Sequence, residues 1–158
     1  MSRCHVPRKD QKMPSVSRAA AAEIIPGKLL QRGHFLTWPA AQKWRLLNEH
    51  GITTVLNMWT KVDPDLSSDK EGRLYICWHC SPSEVPSGTD DMVRLIVSRM
   101  RGEGAVLVHC EAGRGRSVWF CARLYAVYHE VSRAEAWTTI QQACPNHNLT
   151  TTLLADLQ

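Results

Sequence analysis

Hydrophobic and polar positions along the chain predict short strands separated by helices. The apolar pairs Ile24-Ile25 and Leu29-Leu30 flank a Pro-Gly turn and predict a β-hairpin. Apolar runs rich in β-branched residues predict buried strands at 52–56, 74–78 and 105–108. Strands that alternate with helices predict an α/β fold with a central, mostly parallel sheet of four to five strands, flanked by helices on both faces.

Helices are predicted where apolar residues recur at helical spacing between residues that begin and end helices. Pro39 suits the first turn of one helix, and Thr89 is expected to cap another, whose first turn holds Asp90 and Asp91. The first helix is predicted to bury an apolar face of Ala40, Ala41, Trp44 and Leu47. The predicted helices are 39–50, 89–100, 116–129, one from the capping box of Ser132 and Glu135 to Pro145, and a last one from Asn148 or Thr150.

Length and composition favour one globular domain. The chain has 158 residues, of which 44% are hydrophobic and 22% charged, unlike a disordered or fibrous protein. No apolar run approaches the ~20 residues that a bilayer span requires, and the first residues do not form a secretory signal. We therefore expect a cytoplasmic, monomeric protein whose six cysteines stay reduced.

Basic residues are concentrated at the start of the chain. The net charge is +4, a modest bias toward anionic partners, and the first 18 residues hold Arg3, Arg8, Lys9, Lys12 and Arg18. Because this stretch lacks apolar periodicity, we predict a basic flexible tail over 1–22 and a folded domain over 23–158. A solvated terminus without a partner is the simplest interpretation of the tail.

The segment between the third strand and the next helix carries the candidate chemistry. A strand, a glycine-containing turn and a helix N-terminus form an anion site, because successive backbone N–H groups converge there. These groups favour the thiolate form of Cys110, a nucleophile at neutral pH. Arg116 can hold two phosphoryl oxygens, and Ser117 can donate a hydrogen bond to the sulfur. We call this segment the cysteine loop: His109, Cys110, Glu111, Ala112, Gly113, Arg114, Gly115, Arg116 and Ser117.

The cysteine loop resembles the signature loop of the cysteine-dependent phosphatases, the protein tyrosine and dual-specificity superfamily. The resemblance continues from Ile24 to the end of the chain, through I-P-G-K-L-L-Q-R-G, G-I-T-T-V-L-N-M and A-C-P-N. In the last segment the family more commonly has arginine at the position of Cys144. The resemblance implies an enzyme that hydrolyses phosphomonoesters without a metal or other cofactor. The expected substrates are proteins that carry phosphotyrosine, with phosphoserine and phosphothreonine as further candidates.

The resemblance also implies roles for particular residues. Cys110 would form a phosphocysteine intermediate, Arg116 would clamp the phosphate, and residues 111–116 would bind it through the loop. Ser117 would assist departure of the thiolate, and His109 would tune the cysteine. The domain over 23–158 would then be a small dual-specificity-like catalytic domain.

The general acid departs from the family's pattern. The family usually supplies an aspartate after the second buried strand, shortly before a proline such as Pro86, but residues 80–85 contain none. Glu84 is the nearest carboxylate, and Asp63 or Asp65 could reach in from the loop predicted over 60–72. If none of them acts as an acid, leaving groups that are already stable anions, such as phosphoanhydrides, are favoured.

Two alternatives to a protein phosphatase remain open. Arg114 adds positive charge at the mouth of the site, and Glu111 reduces that charge. Alternatively, both side chains face solvent and pair with each other. Such charge suits an inositol phosphate, a phosphoinositide, or an RNA or nucleotide 5′-phosphate. A phosphate-binding module with impaired catalysis is a further possibility, because the usual acid is missing.

Other cysteines and two tryptophans suggest additional sites. Cys77 and Cys80 have C-x-x-C spacing and could form a zinc set with Cys144 and His147, although the gap between the pairs is long. Alternatively, Cys80 could form a protective disulfide with Cys110 under oxidation. Trp59 and Trp78 follow strands on the side where α/β sites open, so either could wall the pocket.

Overall fold

The computed structural model describes residues 21–158, which form a five-stranded sheet with helices on both faces. The sheet has the order β1-β2-β5-β3-β4, in which β1 and β2 are antiparallel and all other neighbours are parallel. Its strands are β1 (Ala22–Ile25), β2 (Leu29–Arg32), β3 (Ile52–Asn57), β4 (Leu74–Cys77) and β5 (Ala105–His109). The helices are α1 (Ala40–Glu49), α2 (Pro64–Ser67), α3 (Thr89–Arg101), α4 (Arg116–His129), α5 (Arg133–Ala143) and α6 (Thr151–Asp156).

The central strand β5 divides the apolar interior into two clusters. Val106 and Val108 point into a larger cluster that also contains buried residues of α3, α4, α5 and α6. Ala105 and Leu107 point into a smaller cluster with residues of α1 and α2. This alternation is what a strand covered on both faces requires, and it confirms the predicted α/β class.

Most predicted elements are present with small shifts in their ends. The hairpin of β1 and β2, the strands β3, β4 and β5, and the helix α4 lie where the sequence predicts them. Ser132 caps α5 by accepting a hydrogen bond from the Glu135 amide, and Thr150 caps α6 in the same way.

Three local predictions are wrong. In α1, Leu47 is buried and Trp44 packs against the smaller cluster as predicted, but Ala40 and Ala41 are exposed. Leu46 and Lys43 are buried in their place, and Lys43 is paired with acidic side chains inside the fold. The predicted loop over 60–72 contains the short helix α2, which Asp63 caps. Gly88, in a left-handed conformation, is the N-cap of α3, since Thr89 is already helical and bonds the Pro86 carbonyl.

Most of the predicted basic tail, residues 1–20, lies outside the described residues. Ala21 is buried and Ala22 begins β1, so these two residues are part of the fold. Within 21–158, every helix is too short or too polar to cross a membrane.

The sheet register brings the functional segments together. His109 at the end of β5 is paired with Arg32 on one side and Asn57 on the other. The next residues along the neighbouring strands stay close, because the Met58 amide bonds the His109 carbonyl and the Trp78 amide bonds the Asn57 carbonyl. The cysteine loop thus begins at the carboxyl edge of the sheet, where open α/β folds bind ligands.

Candidate active site

Carbonyl groups of the cysteine loop are bonded to neighbouring segments. A trans peptide directs each N–H away from the preceding carbonyl, and no cis bond occurs in 21–158. The amides that follow these carbonyls therefore point to the inner side of the loop, where they can converge on one anion. The bonded carbonyls are those of Glu111 to the His34 amide (3.0 Å), Gly113 to Gln31 Nε2 (2.8 Å), Arg114 to the Asn148 amide (2.7 Å) and Gly115 to the Trp119 amide (2.9 Å).

Glycine is required where the cysteine loop touches the segment after β2. Gly113 has a φ of 73°, and a Cβ there would lie 2.3 Å from the Gly33 nitrogen. A Cβ on Gly33 would in turn meet the Ala112 carbonyl at 3.0 Å. Both contacts are between backbone atoms, so neither can be relieved by rotating a side chain. The segment after β2 therefore restricts the conformation of the cysteine loop.

Cys110 lies at the start of the loop and is only 2% exposed. Its Sγ is 3.1 Å from the hydroxyl of Ser117, a fully buried residue in the first turn of α4. This geometry places a hydroxyl group against the sulfur and the N-terminus of a 14-residue helix behind the loop.

The guanidinium of Arg116 is held by carbonyls from two neighbouring strand ends. Its Nη1 donates to the Cys80 carbonyl at 3.0 Å and to the Met58 carbonyl at 3.4 Å. Its Nη2 lies 3.9 Å from Glu111, whose side chain is mostly exposed. The pairing of Glu111 is thus with Arg116 and not with Arg114. Since a guanidinium has five N–H donors, Arg116 is oriented by the protein and still has donors for a phosphate.

His109 is buried beneath the loop, and its ring is a hydrogen-bond donor. Burial, with a smaller contribution from the charge of Arg32, lowers the pKa of His109 to about 4, so the imidazole is neutral at pH 7. Nδ1 lies 3.2 Å from the Cys110 carbonyl, an acceptor, which places the proton on Nδ1. Nε2 has no partner among the described residues. Any influence of His109 on Cys110 is therefore exerted by a neutral ring.

Two of the three candidate acids are bound to one buried lysine. The Nζ of Lys43, a residue only 1% exposed, lies 2.9 Å from Asp63 and 2.8 Å from Asp65. Burial lowers the pKa of Lys43, but the hydrogen bonds and charges of Asp65 and Asp63 outweigh burial and raise it above 10.5. Asp63 also accepts the amide of Asp65 as the cap of α2. Both carboxylates are therefore engaged by the ammonium of Lys43.

The third candidate, Glu84, is exposed in the segment that we call the proline loop, residues 81–88. It forms no ion pair within the described part of the chain. The proline loop is bonded at three carbonyls: Pro82 to the Thr150 hydroxyl, Pro86 to the Thr89 hydroxyl and Gly88 to the Met92 amide. Asp90 and Asp91, in the first turn of α3, pair with arginines as helix-start residues.

The proposed zinc set is not assembled. Over 21–158, no three His, Cys, Asp or Glu residues are grouped to hold a metal ion, so Cys77, Cys80, Cys144 and His147 do not form such a set. Burial raises the pKa of Cys80 to about 12, although the charge of Arg116 opposes this, and its thiol donates to the Trp78 carbonyl. A disulfide between Cys80 and Cys110 stays a prediction, which this neutral thiol does not favour.

The two tryptophans expected at the pocket differ in their surroundings. Trp59 is 7% exposed and stacks on His34 at 4.4 Å, with Lys61 over its ring. Trp78 packs edge-on against Phe120 and is half-buried. Trp59 is therefore covered by side chains next to the cysteine loop, since the His34 amide also bonds that loop.

Sequence reasoning missed two buried polar residues near the site, Gln31 and Lys43. Gln31 lies in the apolar strand β2 and donates to both Gly113 and Ser117. A lone polar residue within a buried strand is a usable signal, because its side chain must find partners inside the fold. Lys43 gave no such signal, since charged residues are common on helices.

Comparisons with known proteins agree with this geometry. A family model described as the dual specificity phosphatase catalytic domain matches residues 34–157. No curated protein matches the sequence. The fold is similar to that of human DUSP28, with 19% identity, a TM-score of 0.72 and coverage of 88% of this chain and 90% of that one.

Two further solved structures have a similar fold. One is a mouse putative dual specificity phosphatase complexed with zinc tungstate, with 19% identity, a TM-score of 0.72 and coverage of 94% and 90%. The other is the human tyrosine phosphatase-like serine/threonine/tyrosine-interacting protein, with 20% identity, a TM-score of 0.67 and coverage of 87% and 93%. At these identities the similarity concerns the fold.

Proposed function

This chain belongs to the dual-specificity phosphatase family, and on that premise we propose that it hydrolyses phosphomonoesters of proteins through a phosphocysteine intermediate. Phosphotyrosine is the first expected substrate, with phosphoserine and phosphothreonine as further ones. The observation that carries the proposal is the position of Cys110. Its buried sulfur lies at the start of a loop whose carbonyls are bonded to neighbouring segments, beside an oriented arginine.

In the first proposed step, the Cys110 thiolate attacks phosphorus in line with the leaving oxygen. An S–P bond forms, the P–O ester bond breaks, and the leaving oxygen takes a proton from a general acid. Amides of residues 111–116 and the Arg116 guanidinium hold the three equatorial oxygens. In the second step, the carboxylate left by the general acid takes a proton from water, and the water oxygen attacks phosphorus as the S–P bond breaks. Ser117 donates a hydrogen bond to the departing thiolate.

We assign the general acid to Glu84. Asp63 and Asp65 are both held by Lys43, whereas Glu84 is exposed on the proline loop without an ionic partner in the described region. The proline loop directly follows Cys80, whose carbonyl holds Arg116. Glu84 is therefore close in sequence to Cys80, which contacts the Arg116 guanidinium proposed to bind the phosphate.

The proposal is tested with the variant Cys110→Ser and a generic aryl phosphate. We expect loss of turnover by at least about 10³-fold, because an alkoxide at this site is not formed at neutral pH. Cys77→Ser, which changes an exposed cysteine, is the matched control. Acid-quenched wild-type enzyme should contain phosphate on the Cys110 peptide by mass spectrometry. Residual turnover in Cys110→Ser, or no inhibition by vanadate, contradicts the proposal.

Arg114 favours a second candidate, hydrolysis of a non-protein phosphate. The Arg114 side chain is exposed on the cysteine loop, and it forms no ion pair within the described residues. Such a charge suits inositol phosphates, phosphoinositides or a 5′-phosphate of RNA or a nucleotide. Under this alternative, Arg114→Gln lowers kcat/KM for those substrates and leaves phosphotyrosine peptides unchanged. Binding of all these ligands without turnover would instead support a catalytically impaired phosphate-binding module.

A further inference from the structure

Gln31 is a polar residue in a place that is otherwise apolar. It follows Leu29 and Leu30 in β2 and is 3% exposed. β2 lies directly beside β5, where Gln31 is paired with Val108. A buried amide in a central strand must satisfy its donors and acceptor within the protein, and the partners of Gln31 all lie at the cysteine loop or next to it.

The Gly113 carbonyl fixes the orientation of the Gln31 amide. Gln31 has one atom 2.8 Å from this oxygen, and because a carbonyl only accepts, that atom is the nitrogen Nε2. The second N–H of Nε2 points to the Ser117 hydroxyl, also at 2.8 Å. Ser117 therefore accepts from Gln31, and its single proton is left for the Cys110 sulfur at 3.1 Å.

Cys144 bonds the remaining atom of the amide. Its Sγ donates to Gln31 Oε1 at 3.4 Å, and burial raises the pKa of Cys144 to about 11, which keeps it a thiol with a proton to donate. All hydrogen-bonding groups of the Gln31 side chain then have partners: two acceptors on Nε2 and one donor on Oε1. A flipped amide would place Oε1 against the Gly113 carbonyl, two acceptors facing each other, so the Gly113 carbonyl fixes the orientation.

We propose that Gln31 is a positioning residue that holds the Ser117 hydroxyl as a hydrogen-bond donor to Cys110 Sγ. The inference rests on the proposed function and adds a residue outside the cysteine loop to it. An oriented donor stabilises the thiolate that attacks phosphorus, and stabilises it again when the S–P bond breaks. No bond to Gln31 itself forms or breaks in either step.

Two substitutions at this position separate orientation from packing. Gln31→Met keeps the size of the side chain but cannot donate, so the Ser117 hydroxyl is free to rotate. Gln31→Glu places a carboxylate acceptor there, which draws the Ser117 proton away from the sulfur. Gln142→Glu, the same change at an exposed position of α5, is the matched control.

The first readout is the pH dependence of Cys110 alkylation by iodoacetamide, followed on the Cys110 peptide by mass spectrometry. This reaction needs the thiolate but not phosphatase turnover. We expect its midpoint to move to higher pH in Gln31→Met and further in Gln31→Glu, with Gln142→Glu unchanged. Unchanged midpoints in correctly folded Gln31 variants overturn the inference, whatever the enzyme's substrate is.

The second readout is a double-mutant cycle on turnover. Gln31→Met should lower kcat for p-nitrophenyl phosphate by about 10- to 100-fold, the size expected for a hydrogen bond to a charged group, with little change in KM. In the Ser117→Ala background the same substitution should have almost no further effect. An undiminished effect there shows that Gln31 acts on packing alone and overturns the inference.

A milder variant covers the case in which Gln31→Met does not fold. Cys144→Ala removes only the donor to Oε1, while Cys144→Ser keeps one. We expect a smaller upward shift of the alkylation midpoint in Cys144→Ala and rescue in Cys144→Ser. If Cys110→Ser keeps turnover, the proposed function fails, but the alkylation midpoints still decide the role of Gln31.

Discussion

The cysteine loop and the proline loop both follow parallel strands at the same edge of the sheet, but they are bonded very differently. Bonded carbonyls tie the cysteine loop to segments after β2, within α4 and before α6, and glycines allow backbone contact with Gly33. The proline loop has exposed residues at Ser81 to Val85, and its bonded carbonyls are those of Pro82, Pro86 and Gly88. The cysteine loop is bonded to three other parts of the fold, whereas the proline loop is largely exposed between its bonded carbonyls.

This difference indicates a division of work within the site. Groups that bind the phosphoryl oxygens must already point at them before substrate arrives, because reorientation would cost part of the binding energy. Groups that protonate a leaving oxygen must adapt to the substrate. We therefore expect changes in Cys110 and Arg116, which contact the phosphoryl group, to affect all substrates equally, and changes in the proline loop to depend on the leaving group.

The largest expected effect is that of Arg116→Lys on the cysteine-loop side. A lysine keeps the charge but cannot hold two oxygens while also bonding the Cys80 and Met58 carbonyls. We expect kcat/KM to fall by about 10²- to 10³-fold, the cost typical of losing a transition-state donor. The fall should be equal for aryl and alkyl phosphates, measured by steady-state kinetics.

Arg94→Lys, the same change on the exposed side of α3, is the control. A loss of activity in Arg116→Lys that varies strongly with the leaving group would contradict this division, because it would assign Arg116 to protonation of the leaving group. Intact folding is checked by thermal unfolding of both variants.

The sequence predicted the cysteine loop well because its chemistry is local. Cys110, Arg116 and Ser117 lie within eight consecutive positions between an apolar strand and a helix, so their spacing alone brings them together. The glycines of the loop are equally visible in the sequence.

The surroundings of the candidate acids could not be predicted from the sequence, because the residues in contact are distant in the chain. Lys43 reaches Asp63 and Asp65 from a helix some 20 positions earlier, and no pattern in α1 distinguishes this lysine from an exposed one. Gln31 contacts Ser117 across 86 positions. Such pairings depend on the order of strands in the sheet, which periodicity does not determine.

The next expected effect is that of Glu84→Gln on the proline-loop side. We expect turnover of phenyl phosphate or a phosphotyrosine peptide to fall by about 10²-fold, the usual contribution of a general acid. Turnover of p-nitrophenyl phosphate should change little, because its leaving oxygen needs no proton. The loss of rate toward high pH that an acid causes should disappear in the variant.

Glu103→Gln, at another exposed glutamate, is the control for this substitution. Asp63→Asn should lower stability through its contact with Lys43 without any dependence on the leaving group. A leaving-group dependence in Asp63→Asn, and none in Glu84→Gln, would move the acid from the proline loop to the start of α2.

The smallest expected effect is on stability and concerns His109, beneath the cysteine loop. Burial holds the pKa of His109 at about 4, against 6.5 for an unfolded histidine. Between these values the unfolded chain binds a proton that the folded protein does not, so stability falls as the pH falls from 6.5 toward 4 and is unaffected above 6.5. At about pH 5 the loss is about 2 kcal/mol.

His109→Gln removes this titration while keeping an amide donor for the Cys110 carbonyl. Urea unfolding at about pH 7 and about pH 5 should therefore show a smaller acid-induced loss in His109→Gln than in the wild type, by about 2 kcal/mol. His50→Gln, at the end of α1, is the control. An equal acid-induced fall in the free energy of unfolding in wild type and His109→Gln would contradict this prediction. It would mean that the His109 ring is hydrated, and that the region beneath the cysteine loop is as open to water as the proline loop.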